Sequence, residues 1–220
     1  MATMHVRADL EAGVARALED RQLLAHPFYL RWEAGQLQPG ELAAYAEQYR
    51  HFEAAVPLLL RDVLAATDDE VAAGLVRLNL ADEESNPMPH IELFERFADG
   101  VGAVRGAPAT AATSELLHTY AGLAGAGSVP GLAAMVAYET QAPAIAASKA
   151  SGLRRHYACE ERTTSFWDVH ATMDLDHGDW GIDALEAMDA DPGEVFVSAR
   201  RAADAWWAFL DEREAARPVE

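Results

Sequence analysis

The sequence predicts an all-α protein: one helical bundle of seven to nine helices, spanning residues 1–220 as a single domain. Three observations carry that prediction. Apolar residues recur at spacings of three and four along most of the chain. No run alternates with period two. β-branched residues are sparse beside a large excess of alanine.

The elements follow in order. A first helix is expected from about Ala8 to Leu24, with Leu10, Val14, Leu18 and Leu23 near one face. HPFYLRWEAGQ reads as a short helix stopping at Gly35. Pro39 suits the first turn of a long helix through Tyr45, Tyr49, Phe52 and Leu60. The acids Asp68, Asp69 and Glu70 favour the start of the next, because negative charge is stabilised at a helix N-terminus. After SNPMP, Ile91, Leu93, Phe94 and Phe97 mark a helix that stops near Gly100. Ser114–Gly122 is another, and AGAGS gives a turn. Pro130 opens a long apolar helix to Gly152, followed by helices over 159–176, 179–188 and 192–214.

Composition excludes several classes of function. With 36 acids against 17 bases, a net charge of −19 argues against nucleic acid, whose affinity comes from clustered Lys and Arg. No window approaches the ~20 uncharged apolar residues of a membrane span, and the N-terminus lacks a signal-peptide core. A single cysteine, Cys159, makes no internal disulfide, which fits a cytoplasmic protein. The 17 bases comprise 16 arginines and one lysine, Lys149.

Three polar interruptions of apolar helix faces attract attention. In HATMDLDH, His170, Asp174 and His177 share one helix face across two turns, a ligand set suited to iron, manganese or zinc. Read alone, the same spacing also fits an exposed polar face. Glu83 and His90 are seven apart, with Pro87 and Pro89 between them, so a helix end at Ser85 is equally consistent. Glu139 sits in GLAAMVAYETQAPAIAASKA, where a buried carboxylate needs a metal, a donor or an arginine partner. Together these residues form three carboxylates and three imidazoles, the ligand count for two first-row metals between bundle helices. The alternative ferritin-like arrangement needs two Glu-x-x-His repeats, and only Glu115–His118 is present.

At these residues the chain resembles the heme-oxygenase-like dimetal oxidases and oxygenases. Their ligand pattern is Glu-x6-His, a central-helix Glu, then His-x3-Asp-x2-His, and all six positions match. Within that family it is similar to the self-sacrificing 4-aminobenzoate synthases, from HPFYLRWEAGQL through ELAAYAEQY, NLADEESNPMPHIELF and AYETQAPAIAASK to FWDVHATMDLDH. The resemblance implies an enzyme in which a tyrosine supplies the ring of this folate precursor and a lysine its amine. It places the ring donor at Tyr29, further site tyrosines at Tyr45 and Tyr138, and the amine donor at Lys149. It also implies an iron–iron or manganese–iron pair, O2 and an external electron donor; a homodimer is expected by analogy with similar bundles.

Physical chemistry is compatible with those assignments. On an ideal helix Lys149 follows Tyr138 at about 20° from eclipsed and roughly 16 Å along the axis. Burial among alanines lowers an amine's pKa and frees its lone pair, whereas arginine does not readily lose its proton. Three other readings compete. The same centre could act on an external small molecule, by amine N-oxygenation or by oxidative cleavage of fatty or amino acids. The fold could serve as a metal-free binding module. A thiaminase-like enzyme would require Cys159 as nucleophile.

Overall fold

α7 (Ser128–Glu139) is buried at every position from Pro130 to Glu139, so a segment with almost no polar surface forms the axis of the molecule. The computed structural model describes residues 3–218, and no strand occurs among them. Around α7 are α1 (Thr3–Leu18), a 3-10 turn (Leu23–Ala25), α2 (Pro27–Glu33), α3 (Pro39–Ala65) and α4 (Glu70–Ser85). The chain continues through α5 (His90–Gly100), α6 (Ala111–Ala126), α8 (Ala142–Tyr157), α9 (Glu161–Ala187) and α10 (Pro192–Ala215). α10, α6, α9 and α3 all pack directly on α7. No helix among the described residues is long and apolar enough to cross a membrane.

Local chemistry sets the element boundaries. The Asp69 carboxylate accepts from the amides of Val71 and Ala72, and Asp191 accepts from Glu194, capping α4 and α10. His26 does the same for α2 through Nδ1, which accepts from the Phe28 amide. Gly127, at φ 148°, makes the turn between α6 and α7 in a region that L side chains avoid.

The structure corrects several expected boundaries. The first expected helix ends at Leu18, with the 3-10 turn supplying Leu23. The expected helix from Pro130 to Gly152 is two helices that break at Thr140–Gln141. Pro143 has no N–H for the Glu139 carbonyl, and the side chains of Thr140 and Gln141 donate instead to the carbonyls of Val136 and Ala137. Conversely, the two helices expected over 159–188 are one, α9. Its Gly178 and Gly181 do not end it; they bring it against α7, where a Cβ on Gly181 would lie 2.3 Å from Val136 Cγ2.

Candidate metal centre and aromatic cluster

α3, α4, α5, α7 and α9 converge on one buried polar cluster. Glu83 lies in the last turn of α4 and His90 is the first residue of α5. They meet across an elbow, not along one helix, with His90 Nδ1 2.9 Å from Glu83 Oε2. Glu139 closes α7, while His170, Asp174 and His177 project from consecutive turns of α9. All six are buried. Glu115 and His118 lie exposed on α6, which removes the ferritin-like alternative.

Each imidazole is oriented by a bond on its outer nitrogen. His90 Nε2 donates to the Asn86 carbonyl at 3.0 Å, and His170 Nδ1 to the Phe166 carbonyl at 2.8 Å. His177 Nε2 faces Asp82 Oδ2 at 3.3 Å, which leaves Nδ1 3.4 Å from Asp174 and 3.9 Å from Glu83 Oε1. Glu83 therefore turns one oxygen towards His90 and the other towards His177. Asn79 Nδ2 donates to Glu139 Oε1 at 2.7 Å. The inner atoms are short of partners: Glu139 Oε2 and His177 Nδ1 are buried with no hydrogen-bond partner, and Glu83 Oε2 and His90 Nδ1 have only each other. Such groups cost several kcal/mol unless a cation meets them.

One further residue joins the cluster. Glu53, buried on α3, offers an oxygen that lies with donor atoms of Glu83, His90 and His170 within 4.8 Å of one another. Its Oε1 is also orphaned. Sequence reasoning missed it; the available signal was a carboxylate one turn after Tyr49 and three residues before Val56, on the buried side of α3.

Electrostatics match an incomplete site. Burial pushes Glu53 well up, reinforced by Glu83 and Asp174, and lifts Glu139 to about 7. Burial also opposes charge on His177, but Asp174, Glu139 and Glu83 outweigh it and raise the imidazole to about 9. Glu83 is held below its usual range because the three imidazoles outweigh its desolvation. Mixed carboxylate and imidazole donors with orphaned inner atoms fit first-row metal ions.

A second cluster lies beside the first. Lys149 Nζ donates to the Tyr45 hydroxyl at 2.6 Å, and Tyr45 is paired with Tyr29 at 2.8 Å. The amine sits 4.5, 4.8 and 4.1 Å from the ring centres of Tyr29, Tyr45 and Trp167. Among the described residues no carboxylate pairs with it, and burial drives its pKa well below 10.5. Lys149 is thus a sequestered amine, 2 % exposed, in an aromatic cage. Burial likewise pushes the Tyr29, Tyr45 and Tyr138 phenols upward, so all three are protonated. Tyr138 pairs with Tyr49 at 2.5 Å.

Cys159 has no catalytic partner among the described residues: burial raises its thiol, which contacts the Tyr157 carbonyl at 3.8 Å. On the outer side, a cleft of about 500 Å³ among α1, α8 and α9 reaches Glu139 and Asp174. Its walls are largely apolar, with Val14, Leu18, Leu24, Ile145 and Ile182.

The chain is similar to known proteins over most of its length. The sequence profile of a family described as iron-containing redox enzymes matches residues 43–207. A 4-aminobenzoate synthase of Nitrosomonas europaea is 35 % identical over 214 residues, covering 88 % of this chain and 86 % of the relative. One from Chlamydia pneumoniae is 29 % identical, covering 89 % and 90 %. A CADD-like protein of unknown function from Nostoc punctiforme has a similar fold, with a TM-score of 0.80 at 17 % identity over 96 % of this chain and 99 % of that one.

Proposed function

The chain belongs to the iron-containing redox enzyme family with a heme-oxygenase-like fold, and from that premise we propose that it makes 4-aminobenzoate from its own Tyr29 and Lys149. The observation that carries this reading is the buried Lys149 amine held beside the Tyr29 ring, 4.5 Å from its centre, with burial driving its pKa well below the usual range. In tyrosine the hydroxyl is para to Cβ, and in 4-aminobenzoate the amine is para to the carboxyl. Replacing the phenol oxygen by the lysine nitrogen and oxidising Cβ to a carboxylate therefore preserves the ring pattern. The curated relatives named 4-aminobenzoate synthase support the product.

Two first-row metal ions, iron with iron or manganese with iron, would supply O2 activation when bound and reduced by an external donor. Glu83, His90 and His170, with Glu53, would hold one; Glu139, Asp174 and His177 would hold the other. Asn79 fixes Glu139 by donating to its Oε1. Asp82, Asn86 and Phe166 each hold the outer nitrogen of one imidazole, leaving the inner nitrogen to face the metal position. Tyr45 positions the reactants through hydrogen bonds to both Lys149 Nζ and the Tyr29 hydroxyl. The surrounding rings exclude water and favour the uncharged form of the amine.

The test is direct. Purified protein given iron, manganese, reductant and O2 should release 4-aminobenzoate without any added aromatic substrate. Tyr29→Phe should abolish release; persistence of the product in that variant contradicts the assignment.

The cleft over Glu139 and Asp174 favours a second reading, in which the same centre oxidises an external small molecule. An unchanged intact mass after turnover selects that reading.

A further inference from the structure

Two clefts share residues with the small cavity among the candidate ligands. The largely apolar cleft described above shares Glu139 and Asp174 with it. A second cleft, of about 420 Å³, lies between α3 and the elbow that joins α4 to α5. It is lined by Glu53, Pro57, Glu83, Glu84, Pro89 and Ile91, and it shares Glu53 and Glu83 with the cavity. Half of its lining residues are therefore carboxylates. Glu53 is 4 % exposed, and its Oε1 has no hydrogen-bond partner. Pro57 has no N–H to give the Glu53 carbonyl, so a backbone oxygen of α3 lacks its usual helical donor at the same place. Glu84 is exposed, and its carboxylate pairs with Arg61.

Resting on the metal centre of the proposed function, we propose that this second cleft is the entrance for its divalent ions. Glu84 collects the hydrated cation from solvent, and Glu53 and Glu83 replace its waters with carboxylate oxygens on the way to the cavity. A dication sheds its hydration only where oxygens take over, and the apolar walls of the first cleft do not supply them. Arg61 competes for the Glu84 carboxylate and so retards entry. The step is ligand exchange alone: water leaves the ion, carboxylate oxygens bind it, and Arg61 is freed from Glu84 while the ion passes.

The rate of anaerobic Fe(II) uptake tests the entrance. Metal-free protein is mixed with Fe(II) and quenched at intervals with a chromophoric chelator that captures unbound ion. Glu84→Gln should slow uptake about tenfold at low ionic strength with the final metal content retained, and added salt should shrink the difference. Arg61→Ala should quicken uptake. Both variants break the same surface ion pair, so a purely structural role would shift them in the same direction. Glu11 lines the first cleft and is itself paired with Arg7, and Glu11→Gln should leave the rate unchanged. An unchanged rate in Glu84→Gln overturns the entrance, as do shifts of one sign in Glu84→Gln and Arg61→Ala, or an equal slowing in Glu11→Gln. Wild-type protein that takes up no Fe(II) overturns the metal centre and the entrance together. Uptake that depends on Glu84, without release of 4-aminobenzoate, upholds the entrance and removes the self-sacrificing reading.

Discussion

Asp82 Oδ2 lies 3.3 Å from His177 Nε2, on the side of the ring opposite the candidate metal cavity. The adjacent residue, Glu83, faces the inner nitrogen of the same ring at 3.9 Å, so one turn of α4 grips His177 from both sides. Asn86 in turn donates to Asp82 Oδ1 at 2.9 Å. A carboxylate in this position orients a ligating imidazole and raises its basicity. Asp82→Asn should therefore weaken metal binding by about 10- to 100-fold. Chelator competition measures this without reference to activity, and unaltered affinity would remove Asp82 from the site.

Metal affinity should also depend on pH. With its imidazole raised to about 9, His177 carries a proton at neutral pH in the metal-free protein. Ligation requires the neutral ring, so binding releases at least that proton. Affinity should rise by at least tenfold per pH unit between pH 6 and 8, the slope being steepest below about 7 where Glu139 also holds its proton, and flatten above about 9. Calorimetry in buffers of different ionisation enthalpy counts the protons released.

Lys149 links pH to stability with a defined sign. Its folded-state pKa lies well below 10.5 because the cage desolvates the amine. Below that unfolded value the unfolded chain holds a proton that the folded chain lacks, so unfolding takes one up and stability falls as pH decreases. Lys149→Met should flatten this slope between neutrality and pH 10 by up to one proton. Denaturant titrations of both proteins over that range supply the comparison.

Close helix packing behind the centre should be intolerant of a methyl group. A Cβ at Gly181 meets Val136 Cγ2 at 2.3 Å and reaches within 3.9 Å of Glu139 Oε2. Gly181→Ala should cost about 1–3 kcal/mol of stability as α9 is forced away from α7. It should also lower metal content, since Glu139 and the α9 ligands approach each other across this contact. Thermal unfolding and metal analysis read the two effects separately.

The part of this arrangement that lies along single helices was legible in the sequence. His170, Asp174 and His177 share a face because side chains three and four apart stack on a helix. Glu139 was conspicuous as a carboxylate inside an otherwise apolar helix. Relationships between helices were not legible. Glu53 and Tyr49 lie on α3 among Arg50 and His51, and composition alone does not say which side of that helix meets α4 and α9. The Thr140–Gln141 break was signalled by Pro143, yet the apolar run continued through it and concealed the change of direction. Gly178 falls in the gap left between the two expected helices, whereas it and Gly181 permit close packing within one helix, a distinction that depends on Val136 and Thr140 from α7 and the break after it.

Because Lys149 is the sole lysine of the chain, isotopic labelling can address one position without mutation. Protein grown with lysine carrying ¹⁵N only in its ε-amine, then loaded with metal, reduced and exposed to O2, provides the most direct test of the central claim. The expected product is 4-aminobenzoate containing ¹⁵N, together with a loss of intact mass traced to Tyr29 and Lys149. Unlabelled 4-aminobenzoate, or a labelled protein of unchanged mass after turnover, would contradict it.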